Sequence, residues 1–186
     1  MSITDEAWNA AQNAEYNYWI SRGFLGLQAE QAKMLQYFFE APNAFKGTVV
    51  ELGPGPCGYT SIISADKKIA IEPLTNKFRE LFALPKDVEY LQGKGEDIPL
   101  PDDCADVVFC SNVLAHVQNP AKVLLEVKRI LNVGGVMYFC MYFDSESTLH
   151  PFAFTRNEAR TLLTKTFRIE KVFDKWFKWG AICQKI

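Results

Sequence analysis

Hydrophobic positions along the chain fall into two periodicities. Near-continuous apolar, β-rich runs at residues 48–52, 68–72, 88–92, 105–110 and 136–142 have the character of strands buried on both faces of a parallel sheet. Stretches of helical spacing lie before and between them. Residues 4–21 and 27–41 predict two helices ahead of the first strand, the second placing Ala32, Leu35, Phe38 and Phe39 near helical spacing. The clearest helix covers 120–131. It has Asn119 as N-cap, Pro120 at its first position, a stripe of Val123, Leu124, Val127, Ile130 and Leu131, and Gly134-Gly135 beyond its end. Thr155 and Glu158 form a capping-box pattern before a short helix reaching about Thr164. Residues 167–173 and 179–185 then read as two strands whose connection is short enough to require an antiparallel pair. The pattern predicts an α/β chain. No repeat, low-complexity tract or linker divides it, so 1–186 reads as a single domain, with residues 1–44 as a helical lid on a core of 45–186.

Composition narrows the class without choosing the chemistry. At 186 residues, 48% hydrophobic and 23% charged, the chain can bury a sizeable core. Its apolar stretches fall far short of a bilayer span and no charged-then-apolar signal opens it, so a cytoplasmic location and no membrane association are expected. Five cysteines, odd in number and without a C-x-x-C pair, together with two histidines, favour neither a disulfide framework nor a metal site. A net charge of -2 with mixed signs argues against nucleic acid as a partner. From Lys165 onward six Lys/Arg stand against two Asp/Glu, but they alternate with apolar residues as the solvated face of an edge strand does.

The chemistry concentrates where the first apolar run ends in Glu51-Leu52-Gly53-Pro54-Gly55-Pro56-Cys57-Gly58. Gly53, Gly55 and Gly58 have the G-x-G-x-x-G spacing of a dinucleotide turn. A pyrophosphate cradle, however, needs backbone N–H donors. Pro54 and Pro56 have none, and Glu51 sets a carboxylate beside the turn. Such a loop suits a cation, and S-adenosylmethionine (SAM) carries an ammonium and a sulfonium that Glu51 would attract directly or through water.

Five segments in order carry a family resemblance: the Glu51 to Gly55 turn; Ile69-Ala70-Ile71-Glu72; Gly93-Lys94-Gly95-Glu96-Asp97-Ile98-Pro99-Leu100; Asp106 through Val117, ending Ala115-His116-Val117; and Arg129-Ile130-Leu131-Asn132-Val133-Gly134-Gly135. Over residues 45–143 the chain resembles the class I SAM-dependent methyltransferases, in particular the UbiE-like small-molecule group. The resemblance implies a Rossmann-like, doubly wound seven-stranded sheet, mostly parallel with one antiparallel strand near the C-terminus. It also implies SAM as cofactor and S-adenosylhomocysteine as product. Glu51, Gly53, Pro54, Gly55, Gly58, Glu72, Pro73, Gly95, Glu96, Ser111 and Asn112 are the cofactor-binding residues expected on this basis. Glu72 follows Gly53 by 19 residues, the spacing at which an acid accepts from both ribose hydroxyls. Lys94 departs from the Asp or Asn common in relatives and has no acceptor atom, so Glu96 is the substitute acceptor for the adenine amine. Ser111 and Asn112 would flank the methionine half, although either could be a plain helix N-cap.

His116 and His150 are the candidates for a general base. A packed, backbone-bonded role is the alternative for His116, and a surface loop for His150. Tyr16, Tyr18, Trp19 and Phe24 gather aromatic surface that could cover the methyl-transfer end or pack on the sheet. The resulting expectation is methyl transfer to an oxygen or nitrogen of a small or conjugated metabolite, a saccharide or carrier-linked one included, with no metal and with a homodimer allowed. An NAD(P)-dependent oxidoreductase and a non-catalytic SAM-binding sensor or partner subunit are the competing readings.

Overall fold

A computed structural model describes residues 2–22, 24–142, 150–175 and 178–186, with side chains described outside 22–27. Seven strands form one sheet in the order β3-β2-β1-β4-β5-β7-β6. They are β1 (Thr48–Leu52), β2 (Lys67–Ile71), β3 (Glu89–Leu91), β4 (Ala105–Ser111), β5 (Leu131–Tyr142), β6 (Phe167–Lys175) and β7 (Lys178–Lys185). All pairings from β3 through to β5 are parallel, and β7 runs antiparallel to both β5 and β6. The doubly wound sheet with a single antiparallel strand therefore stands as expected. Its strand order reverses at β1, which places the ligand crevice outside the carboxyl ends of β1 and β4.

Alternation along the central strands divides the interior into two apolar layers. Val50, Leu52, Val108 and Cys110 pack with Val123, Leu124, Val127 and Ile130 of α4 (Pro120–Ile130) and with Ala159 and Leu163 of α5 (Arg156–Thr164). Val49, Val107, Phe109 and Cys140 turn the other way, onto Leu35, Phe38, Phe39 and Phe173. A sheet covered on both faces is the reason its strands lack a polar side. Both caps read from the sequence are formed. Asn119 accepts from the Lys122 amide, and Thr155 and Glu158 make the reciprocal bonds of a capping box.

Three local departures shape the site. Of the expected 27–41 helix only 27–33 are regular: α1 (Asp5–Arg22) is followed by α2 (Phe24–Lys33) and a π-helical turn (Met34–Phe38) closed by Phe39 N–H on the Met34 carbonyl at 3.0 Å. From this turn Leu35, Phe38 and Phe39, spaced i, i+3 and i+4, pack together on the sheet. After the glycine turn the chain makes one 3₁₀ turn (Tyr59–Ser61) where a dinucleotide fold would start a long helix. Thr60, Ser61, Ile62 and Ile63 are weak helix formers, and the buried Glu51 carboxylate holds the amides of Tyr59 and Thr60. Finally, α3 (Thr75–Leu81) follows β2 without any strong periodicity to announce it.

The basic tail is largely neutralised at the surface. Lys171 and Lys175 pair with Glu40, Lys185 with Asp103, and Arg168 with Glu170. Among the described residues no helix is long and apolar enough to cross a membrane.

Candidate active site

Two buried carboxylates organise the tips of β1 and β2. Glu51 is 2% exposed; its Oε1 accepts from the Tyr59 amide at 2.9 Å, and its Oε2 accepts from the Thr60 amide and hydroxyl, each at 2.8 Å. Burial pushes its carboxyl pKa up, while those three donors pull it down. Glu72 accepts from Leu74 N–H at 2.9 Å through Oε1 and from Gly55 N–H at 3.0 Å through Oε2. Burial raises it to about 7 against the pull of those amides. Expected ligands of a cofactor, both acids turn out to shape the turn as well.

The arrangement decides the electrostatic sign of the crevice. Of the turn amides that could cradle phosphate, those of Gly55, Tyr59 and Thr60 are already bonded to carboxylates, and residues 54 and 56 are prolines. No long helix follows to direct a positive dipole at the turn. A diphosphate would be repelled by the acceptors there, and a cation would be attracted by them. This removes the oxidoreductase reading.

One cavity of about 530 Å³ runs along the carboxyl tips, within the usual range for small-ligand sites. Glu51, Gly53, Pro54, Glu72 and Pro73 line one part, Gly95 and Glu96 the next, and Ser111, Asn112, His116 and His150 the far side, with Tyr18 and Trp19 above. Three of the expected site residues lie off this lining. Gly55 does not line the cavity: at φ 62° it lies under the Trp19 ring, whose atoms an added Cβ would meet at 2.5 Å. Nor does Gly58, which faces Glu51; a Cβ there would stand 2.4 Å from both carboxylate oxygens. Tyr16 points away, stacked on Phe78 with Lys77 over its ring. The side chain of Phe24 lies outside the described residues.

Asn112 is not a helix cap. It sits at φ 58° just past β4, a left-handed conformation that Asn tolerates better than most residues. Its amide donates to the Cys140 carbonyl at 2.7 Å, and its side-chain nitrogen lies 3.4 Å from His116 Nε2. Ser111 closes β4 and bridges the Tyr59 hydroxyl at 3.2 Å to Cys140 Sγ at 3.0 Å. Glu96 gives one oxygen, Oε1, to the amides of Gln118 and Asn119, which leaves Oε2 as the atom a ligand amine would meet.

Of the face that α1 turns to the cavity, Trp8, Gln12, Glu15 and Trp19, spaced four, three and four residues apart, sequence reasoning named only Trp19 and missed the other three. A mixed aromatic and polar stripe carries no amphipathic signal, although the spacing is visible once the target is known. Glu15 is central. Trp19 Nε1 donates to its Oε1 at 2.7 Å, while its Oε2 lies 3.4 Å from His116 Nδ1, close enough to pair with a protonated imidazole. Burial pushes Glu15 up to about 7, opposed by the Trp19 hydrogen bond. The ring of His150 meets that of His116 at 4.6 Å, edge to face. Lys94, anomalous as an adenine ligand, instead lies 3.8 Å above the Trp8 ring and donates to Gln118, which bonds Asp5 of α1. It ties α1 to the loop after β3.

Comparison with known proteins agrees with this geometry. Residues 50–139 match the family model described as a methyltransferase domain. Human thiol S-methyltransferase TMT1B is 49% identical over 51 residues, 27% of this chain and 21% of that protein. A protein of Mycobacteroides abscessus described as an uncharacterized methyltransferase is 33% identical over 100 residues, covering 48% and 37%. The chain thus spans well under half the length of these curated relatives. A Thermotoga maritima structure described as a SAM-dependent methyltransferase and possible histamine N-methyltransferase superposes with a TM-score of 0.72 at 22% identity, over 97% of this chain and 100% of that one. The domain match thus lies over residues 50–139, and the whole fold is that of the SAM-dependent methyltransferase structure it superposes on.

Proposed function

We propose that this chain, as the carrier of a class I SAM-dependent methyltransferase domain, moves the methyl group of SAM to an oxygen or nitrogen of a small metabolite under a lid formed by α1 and α2. The observation that carries this reading is the continuity of one cavity. It joins a carboxylate-rich adenosyl end at Glu72, Gly53 and Gly95 to a histidine-bearing end at Asn112, His116 and His150.

Bound SAM supplies a methyl carbon on a positively charged sulfur, so transfer leaves neutral S-adenosylhomocysteine while the acceptor gives up one proton. Glu72 accepts the ribose hydroxyls with the lone pairs left after its two amide bonds, and Glu96 Oε2 receives the adenine amine. Trp8 and Trp19 close the chamber and exclude water, which leaves alignment of the reacting atoms as the main task of the site. His116 takes the acceptor proton, and Glu15, in line behind its other ring nitrogen, holds the imidazole and balances the charge it gains.

Methyl transfer followed as S-adenosylhomocysteine release over hydroxyl, amine and thiol acceptors tests the reading. His116→Ala is expected to bind S-adenosylhomocysteine within about twofold of wild type and to slow turnover by roughly a hundredfold or more. A variant that turns over normally and only melts earlier would make His116 a packing residue. A thiol acceptor is the second reading, favoured by the similarity to human TMT1B.

The raised Glu72 carboxyl gives a signed pH dependence. Bound hydroxyls and a cation favour its ionised form, so its pKa falls on binding and a proton is released. Affinity for SAM should therefore climb as pH rises from about 5 to about 7, the level to which burial lifts the group, and then flatten. Calorimetry in buffers of different ionisation heat measures the proton directly. A Glu72→Gln variant showing the same climb would assign it to another group.

A further inference from the structure

The cavity has a second electrostatic pole that the cofactor does not explain. Lys178, first residue of β7, is 8% exposed and lines the same cavity. Its ammonium meets the Met34 thioether at 3.1 Å and stands 4.2 Å from the centre of the Tyr142 ring. A thioether is a weak acceptor and the ring a partial one. Among the described residues no carboxylate reaches ion-pair distance of it, although Glu30 lines the cavity too. A cation held this deep with no described carboxylate at ion-pair distance is under-compensated by the described residues. Burial accordingly pulls the Lys178 pKa down, with Glu30 acting in the opposite sense.

Topology accounts for how the lysine arrives there and for what it can reach. Because β7 runs against the other central strands, its first residue is the one delivered to the carboxyl tips, opposite Tyr142 in register. In sheet order Lys178 is three strands from β1, through β4 and β5. At about 4.8 Å per strand this is about 14 Å from the glycine turn. The adenosyl end occupies β2 and β1, and the transferred methyl belongs near β4. Lys178 stands on the far side, where an acceptor would enter.

We propose that Lys178 anchors an anionic group of the acceptor, so that the substrate of this site is a carboxylate-bearing nucleophile. The inference rests on the reading of the cavity as a SAM site, from which its orientation is taken. The Tyr59 and Ser111 hydroxyls, bonded to each other at 3.2 Å, line the same cavity.

Paired probes that share a nucleophile and differ in the carboxylate test it: mercaptoacetate against mercaptoethanol, and hydroxybenzoate against phenol. Each is titrated calorimetrically into the chain saturated with S-adenosylhomocysteine. The carboxylate member should bind at least roughly tenfold tighter. Lys178→Met should bring the pair to near parity, Lys178→Arg should keep the preference, and both should bind S-adenosylhomocysteine as wild type does. Equal binding of the two members, or a preference that survives in Lys178→Met, overturns the proposal. So does a tenfold loss of S-adenosylhomocysteine affinity in that variant, which would assign the lysine to the cofactor's own carboxylate. Wild-type chain that fails to bind S-adenosylhomocysteine would count against the SAM reading instead, and the same pairs titrated into the unloaded chain would still decide the anion site.

Discussion

Gly58→Ala is expected to lower the stability of the chain by about 2–4 kcal/mol, by steric displacement combined with broken hydrogen bonds. The backbone there is at φ -101°, so alanine meets no conformational obstacle. The obstacle is Glu51, whose carboxylate oxygens would lie 2.4 Å from the new methyl. To make room the carboxylate must leave the amides of Tyr59 and Thr60, which then stay buried without acceptors. Denaturant melts should show a lower midpoint with little change in slope. A double variant, Gly58→Ala with Glu51→Ala, should recover part of the loss because the smaller side chain vacates the space. If Gly58→Ala melts like wild type, Glu51 is not the clasp of the turn.

Glu72→Ala should weaken S-adenosylhomocysteine binding by about 1.5–3 kcal/mol, roughly tenfold to a hundredfold, through loss of charge-assisted bonds to the ribose. Calorimetric titration reads this directly. Loss of the Gly55 and Leu74 bonds would also loosen the turn, so the comparison needs a second ligand. Adenine alone touches no ribose contact and should lose little affinity. An equal loss for both ligands would mean that Glu72 acts through the shape of the turn.

The fold was legible because its signals are local. Asn119-Pro120 and Thr155 with Glu158 fix helix starts within a few residues, and strands buried on both faces give themselves away by composition. Legibility ended where one segment depends on another. The 3₁₀ turn at Tyr59–Ser61 follows from a carboxylate eight residues earlier, and nothing local to Met34–Phe38 marks the π-helical turn there. The site divides in the same way. Motif residues such as Glu72, Gly95 and Asn112 line the cavity as their positions implied. Gly55 and Gly58 fit the motif too, yet serve Trp19 and Glu51, since spacing does not say which side of a turn a glycine faces. Glu15 and Lys178 belong to no motif. An acid in a helix and a lysine in a basic tail look like solvated surface until the sheet order brings both to one chamber.

The makeup of α1 has one more consequence. Of its apolar residues only Ala11 counts among the buried core, while its inward stripe faces the chamber. Swinging this helix away would uncover little of the two aliphatic layers, which α4, α5 and the segment around Phe38 continue to shield. On the proposed reading of α1 as a lid, cofactor and product would pass a gate whose opening uncovers little of the core, and the rhythm of that gate, rather than the chemistry behind it, would set the pace of the cycle.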